Sequence, residues 1–124
     1  MFDIKLQMKE EKQMILKTLK LHIGHLNLVT NCYIVVDEKS KEAMVIDPGA
    51  ESEKIIEMLD ILDANLKYIF LTHCHADHIG AVDALQEAKG GKILISREDS
   101  TGLHDTSISL TYYTETHNPE MDPD

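Results

Sequence analysis

Four residues of the types that bind metal ions fall within six consecutive positions of this chain: His73, His75, Asp77 and His78. They follow a predicted strand and run into a predicted helix. Residues two apart in extended backbone share a face, so His73 and His75 can direct their imidazoles to one point. Imidazole nitrogen binds zinc at about 2.0–2.1 Å. Asp77 and His78 offer a carboxylate and a further imidazole for a second ion nearby. The spacing therefore predicts a site for one or two metal ions, with zinc expected.

Each of these four residues also has an ordinary explanation. Asp77 could cap a helix, His78 could lie in its first turn, and His73 or His75 could be a surface histidine of a loop. With the His and Asp frequencies of this chain, the pattern H-x-H-x-D-H arises by chance in roughly a few per thousand sequences. The combination therefore favours a metal site. Imidazole and carboxylate also suit iron and manganese, so the identity of the metal stays open.

The elements that must position these residues can be read from apolar periodicity. Alternation or β-rich composition predicts strands over 15–23, 30–36, 43–46, 67–71 and 92–96. Apolar residues three and four apart predict helices over 51–63 and 77–89. The order β-β-β-α-β-α-β predicts an α/β fold in which helices cover a largely central sheet. The four ligand-type residues come directly after the fourth strand and enter the second helix.

Composition limits the possible partners and the compartment. A chain of 124 residues with 43% apolar and 27% charged residues suits one globular domain. A net charge of −10 disfavours a nucleic-acid partner. Residues 1–13 look like an extension without a secretory pattern, and 118–124 like a tail. With no long apolar run, we expect a cytoplasmic protein without a membrane partner, in which Cys32 and Cys74 are free thiols.

The segment THCHADHIG at 72–80 resembles the T-H-x-H-x-D-H signature of the metallo-β-lactamase superfamily. T-N-C-Y at 30–33 and I-D-P-G at 46–49 resemble the opening of its glyoxalase II-like members, which hydrolyse thioesters and related acyl compounds. The resemblance implies an αββα sandwich, of which 14–117 would be the N-terminal half.

The resemblance also assigns roles to the residues of the site. It implies that His73 and His75 bind one metal and that Asp77 and His78 bind a second. Asp47 would support the metal loop from beneath without touching a metal.

The implied activity is that of an enzyme, a metal-dependent hydrolase of a small ester, thioester or related acyl substrate. Zinc lowers the pKa of its bound water towards about 7, and the resulting hydroxide would attack the carbonyl carbon. We also predict a catalytic role for Asp77, because it could help to orient that hydroxide.

Four alternatives stay open. The later family segments that complete the site, among them a Gly-His-Thr-Pro-Gly-like one, are not found in this sequence. The chain could therefore be a fragment of a longer protein, or a half-domain that a second copy completes as a homodimer. It could also be a non-catalytic half-domain, or an iron-dependent oxidase or sulfur dioxygenase on the same scaffold.

Overall fold

A computed structural model describes residues 13–23, 28–73, 75–100 and 103. Within this part of the chain the elements are β1 (Met14–Ile23), β2 (Leu28–Asp37), β3 (Glu42–Ile46), α1 (Ser52–Ile61), β4 (Asn65–Leu71), α2 (Ala76–Ile79), α3 (Val82–Lys89), β5 (Lys92–Ile95) and α4 (Arg97–Ser100). The predicted α/β class and the predicted order of elements are confirmed, except that two helices replace the predicted second one.

The five strands form one mixed sheet in the order β1-β2-β3-β4-β5. The β1–β2 and β2–β3 pairs are antiparallel, whereas the β3–β4 and β4–β5 pairs are parallel. Parallel neighbours need a crossover, which α1 supplies between β3 and β4, and α2 with α3 between β4 and β5. Because β3 and β4 run the same way, the residues that follow them, Asp47 and Thr72, emerge at one edge of the sheet.

One face of the sheet packs against α1 and α3. Ile55 and Leu59 of α1 and Val82 and Leu85 of α3 are buried there. The strands contribute the other large members of this core, among them Leu21, Ile23, Ile34, Val36, Val45, Ile69, Leu71 and Ile93. Full burial of one such side chain contributes about 1.5–3 kcal/mol, so this core fixes the helices relative to the edge where Asp47 and Thr72 lie.

The opposite face of the sheet is apolar as well. Leu16 pairs with Val35, Val35 with Met44, and Met44 with Tyr68, so these four side chains form a row across four strands. Leu16 is 61% exposed, and the other three are half-buried. Both faces of the sheet therefore carry apolar side chains, as in strands that lie between two layers.

The predicted helix over 77–89 is wrong in one respect, since Gly80 and Ala81 divide it. The Ala81 amide donates to the Pro48 carbonyl at 2.8 Å and is not available to a helical carbonyl four residues earlier. This bond ties the start of α3 to the loop after β3.

The helix predicted over 51–63 ends at Ile61. Asp63 takes a left-handed backbone, with φ at 51°, and the Ala64 amide donates to the Leu59 carbonyl at 2.9 Å. That reversal is the usual way in which a helix ends, and it stops α1 before Asp63.

No helix in the described ranges has the length and apolar content needed to cross a bilayer. The predicted extension and tail, 1–13 and 118–124, fall almost entirely outside those ranges, and their bounds stay predictions.

Candidate metal centre

Asp47 occupies the turn that ends β3. Its side chain is almost fully buried, and its backbone is left-handed with φ at 57°. Aspartate is one of the few residues other than glycine that tolerate this conformation. The Asp47 amide donates to the Phe70 carbonyl of β4 at 3.0 Å. The turn therefore holds the Asp47 carboxylate beside the carboxyl end of β4.

The Asp47 carboxylate links that strand end to α2. Its Oδ1 accepts the Thr72 amide at 2.8 Å, and its Oδ2 accepts the Thr72 hydroxyl at 2.6 Å. The same Oδ2 lies 2.9 Å from Nδ1 of His78. Burial by itself would raise the pKa of the Asp47 carboxyl. The hydrogen bonds of His78 and Thr72 outweigh burial, so the pKa is lowered and the group is ionised at neutral pH.

Three of the four predicted ligands are brought together above this carboxylate. The ring centroid of His73 lies 4.0 Å from that of His78 and 5.0 Å from that of His75. Nδ1 of His73 lies 3.0 Å from the Thr72 hydroxyl oxygen. Asp77 is the second residue of α2, and its side chain is outside the described part of the structure. Its predicted metal-binding and catalytic roles stay predictions. The predicted metal-binding roles of the three histidines stay predictions as well.

The chemistry of this donor set fits a first-row metal ion. Imidazole nitrogens suit zinc and iron alike. Among the residues that the structure describes, no three His, Cys, Asp or Glu side chains are placed to hold one ion. Catalytic zinc sites use three protein ligands, so the described residues supply the right kind of donor but not a full set.

The role of Thr72 was not predicted from the sequence. This residue connects Asp47 to His73 by its side chain, which the local sequence alone does not indicate. The available signal was a hydroxyl residue placed directly before His73, at the end of a strand predicted to lie near β3.

Cys32 is a free and buried thiol, as predicted, whereas Cys74 lies outside the described residues. Burial, together with the nearby Asp47 carboxylate, raises the pKa of Cys32 to about 12. The thiolate is therefore scarce at neutral pH, and Cys32 serves as core filling beneath the site rather than as a nucleophile.

The family model of the metallo-beta-lactamase superfamily matches residues 26–112. The hydroxyacylglutathione hydrolase GloC of Haemophilus influenzae is 41% identical over 76 residues, which cover 61% of this chain and 35% of that protein. The probable polyketide biosynthesis zinc-dependent hydrolase PksB of Bacillus subtilis is 40% identical over 68 residues, covering 55% of this chain and 30% of that protein. The chain thus spans about a third of the length of these curated relatives.

Solved structures show the same similarity over more of the chain. The B3 metallo-beta-lactamase BLEG-1 aligns with a TM-score of 0.75 and 27% identity, over 89% of this chain and 51% of that one. TTHA1623 in a di-iron-bound form aligns with a TM-score of 0.67 and 28% identity, over 87% of this chain and 50% of that one. In both cases the chain matches about half of the solved protein.

Proposed function

Because this chain belongs to the metallo-beta-lactamase superfamily, we propose that it contributes the first part of the active site of a metal-dependent hydrolase. Its fold is that of part of such a domain, a mixed sheet with helices on one face. The observation that carries the proposal is the cluster of His73, His75 and His78 above the buried Asp47 carboxylate. The hydrolase names of GloC and PksB support it.

Each residue of the cluster has a distinct task in this proposal. His73 and His75 hold one ion, and Asp77 and His78 hold a second. Zinc, when bound, supplies a water that ionises near neutral pH and needs no separate strong base. Asp77 also helps to orient the attacking water, and Asp47 fixes His78 and the end of β4.

We propose an acyl compound as the substrate, with a thioester favoured over a simple ester. The support is the similarity to a hydroxyacylglutathione hydrolase, since such a substrate carries an acyl group on a thiol. The remaining ligands come either from further sequence of the same protein or from a second copy of it. The partial match to every relative named above favours further sequence.

The test uses the whole protein as it is encoded, with His73→Ala and His75→Ala combined. Loss of a residue that merely supports a metal ligand costs about 10–100-fold in affinity or activity, so loss of two ligands should cost at least the upper value. Zinc retention by elemental analysis and hydrolysis of a hydroxyacyl thioester should both be abolished. His22→Ala is the matched control, because His22 lies on β1 and its side chain is 65% exposed. Hydrolysis at the wild-type rate in the double variant would contradict the proposal.

An iron-dependent oxidase is the second candidate, and one observation favours it: a di-iron protein is among the similar structures. The same elemental analysis separates the two functions. Protein purified without added metal should contain zinc if the hydrolase proposal holds. Stoichiometric iron, together with oxygen consumption on a thiol substrate, would favour the oxidase.

A further inference from the structure

We propose that the side chains of Glu51 and Lys54 occupy the free edge of β1 and thereby prevent a second copy of this chain from adding its own β1 to the sheet. We call these two side chains the edge cap. Such a role in assembly does not depend on the proposed hydrolase function.

The first strand lies at an edge of the sheet, and among the described residues it pairs with β2 alone. In an antiparallel pair, the backbone N–H and C=O of one residue point to the same side, and successive residues alternate. The carbonyl of Gln13, directly before β1, accepts the Glu38 amide, directly after β2, at 2.9 Å. Odd-numbered residues of β1 therefore face β2, and even-numbered residues direct their N–H and C=O to the free edge. Exposed groups of this kind are a template for another strand.

The edge cap covers the C-terminal part of this free edge. Oε2 of Glu51 accepts the His22 amide at 3.3 Å, and Nζ of Lys54 donates to the Lys20 carbonyl at 3.3 Å. The two side chains also contact each other, with Nζ of Lys54 at 3.3 Å from Oε2 of Glu51. One acceptor and one donor thus take the positions that the backbone of a neighbouring strand would fill.

Glu51 makes these contacts in spite of its backbone conformation. It precedes α1 with φ at 50° and ψ at 53°, a left-handed conformation that glycine adopts easily and glutamate rarely adopts. Its side chain does not cap α1. Burial alone would raise the pKa of Glu51, whereas the hydrogen bonds from His22 and Lys54 lower it, so the acceptor is charged at neutral pH. Glycine would suit this turn better, and the strand edge that the side chain covers explains why a glutamate is there.

The N-terminal part of the free edge has a different protection. The outward groups of Met14, Leu16 and Thr18 are not bound by the edge cap, and the Met14 and Leu16 side chains are each 61% exposed. Lys17 and Lys20 are exposed on the same strand, which has no acidic residue. Short open edges and edge lysines both disfavour pairing of one edge with another. Removal of the edge cap would extend the open edge to all even-numbered residues of β1.

A two-fold pairing of β1 with its copy shows what the edge cap prevents. In an antiparallel pairing centred on Thr18, Leu16 lies opposite Lys20 of the copy and Met14 lies opposite His22. No lysine then faces another lysine, and every outward group of β1 gains a partner. This pairing needs the Lys20 carbonyl and the His22 amide, which the edge cap occupies.

The test compares the cap variant, Glu51→Gly with Lys54→Ala, with a control variant, Glu42→Ala with Lys67→Ala, in the whole protein. Each removes one acidic and one basic side chain, so the net charge stays the same. The control pair, at 3.2 Å, is exposed and joins β3 to β4. Sedimentation over a range of concentrations should show a mass that rises towards twice the wild-type mass for the cap variant. The wild type and the control variant should keep one mass.

Hydrogen exchange reports whether β1 forms the new contact. In the cap variant, the amides of Leu16, Thr18 and Lys20 should exchange more slowly as the concentration rises, whereas odd-numbered amides, which face β2, should not change. Thr18→Pro in the same background removes the central outward N–H, and proline is tolerated on edge strands. This third substitution should return the mass to that of the wild type.

The wild type gives a readout that needs no variant to fold. Its His22 amide, bound by Glu51, should exchange more slowly than the outward amides of Leu16 and Thr18. Equal exchange of these three amides would overturn the proposal. A folded cap variant that keeps the wild-type mass at every concentration would overturn it as well, and so would self-association that Thr18→Pro does not reverse.

Discussion

Replacement of Asp47 by asparagine changes the hydrogen-bonding properties of the site while keeping its shape. Asparagine tolerates the left-handed backbone of position 47, and its amide oxygen can still accept the Thr72 amide. Its NH2 group then takes the place of Oδ2 and faces the Thr72 hydroxyl and Nδ1 of His78, which both donate in the wild type. The hydroxyl can rotate to accept, and His78 can move its proton to Nε2. We therefore expect Asp47→Asn to fold with His78 in the wrong protonation pattern.

The magnitudes follow from the three hydrogen bonds that the Asp47 carboxylate accepts, because all three lose their charged acceptor in Asp47→Asn. A hydrogen bond to a charged group contributes about 1.5–3 kcal/mol and a neutral one about 0.5–1.5 kcal/mol. Converting three charged bonds into neutral ones, each weaker by about 1–1.5 kcal/mol, should lower the free energy of unfolding by about 3–4.5 kcal/mol. To bind a metal through Nε2, His78 would have to move its proton back to Nδ1. It would then lose the hydrogen bond that Nδ1 accepts from the NH2 group of the introduced asparagine, and two donors would face each other. The cost is about 1.5–3 kcal/mol, or roughly 10–100-fold in zinc affinity.

The assay combines urea unfolding, zinc competition and the protonation pattern of His78 by nitrogen NMR. Asp60→Asn is the matched control, since that carboxylate is 61% exposed on α1 and pairs with Lys89 at the surface. It should change the free energy of unfolding by less than about 0.5 kcal/mol and leave zinc affinity unchanged. Wild-type zinc affinity in Asp47→Asn, with Nδ1 of His78 still protonated, would refute the reasoning.

Three further outcomes are expected. The hydrogen bonds of Asp47 lower its pKa in the folded protein below its pKa in the unfolded chain. The ionised carboxylate therefore stabilises the fold above the unfolded pKa, and this stabilisation is lost as pH falls through the folded pKa. Urea unfolding below about pH 4 should show a smaller decrease in the free energy of unfolding for Asp47→Asn than for the wild type. Cys32, buried and with a pKa of about 12, should not react with a thiol reagent at about pH 8 in a Cys74→Ser background until the protein is unfolded, and rapid labelling of native protein would contradict its burial. Leu85→Ala should lower the free energy of unfolding by about 2–5 kcal/mol, against less than about 0.5 kcal/mol for Ile61→Ala, whose side chain is 68% exposed; equal losses would contradict the described core.

The strands and the histidine cluster could be predicted because their signals are local. Alternation over 15–23 and the β-branched run at 30–36 give the strands, and four ligand-type residues in six positions give the site. The break between α2 and α3 could not be predicted. It depends on the bond from Ala81 to Pro48, which joins residues from different elements and leaves no periodic trace.

The hydrogen bonds that connect Asp47 through Thr72 to His73 could not be predicted for a related reason. They exist because β3 and β4 lie side by side and parallel, with Ile46 opposite Phe70, so that the residues after each strand meet. Composition indicates that both segments are strands, but not that they are neighbours or that they run in the same direction. The residue types of the site can thus be predicted from the sequence, whereas the contacts that orient these residues depend on which strands pair.

The left-handed backbone of position 47 and the need for a carboxylate there together leave aspartate as the one suitable amino acid. Glycine, asparagine and aspartate accept its left-handed conformation, and only aspartate and glutamate carry a carboxylate; aspartate alone meets both demands. A saturation library sorted for folding should therefore retain several residues at this codon, and the same library sorted for zinc uptake should retain a single one. Thr72, which contacts Asp47, has no such backbone restriction, and we expect that library members with serine at position 72 are retained both for folding and for zinc uptake.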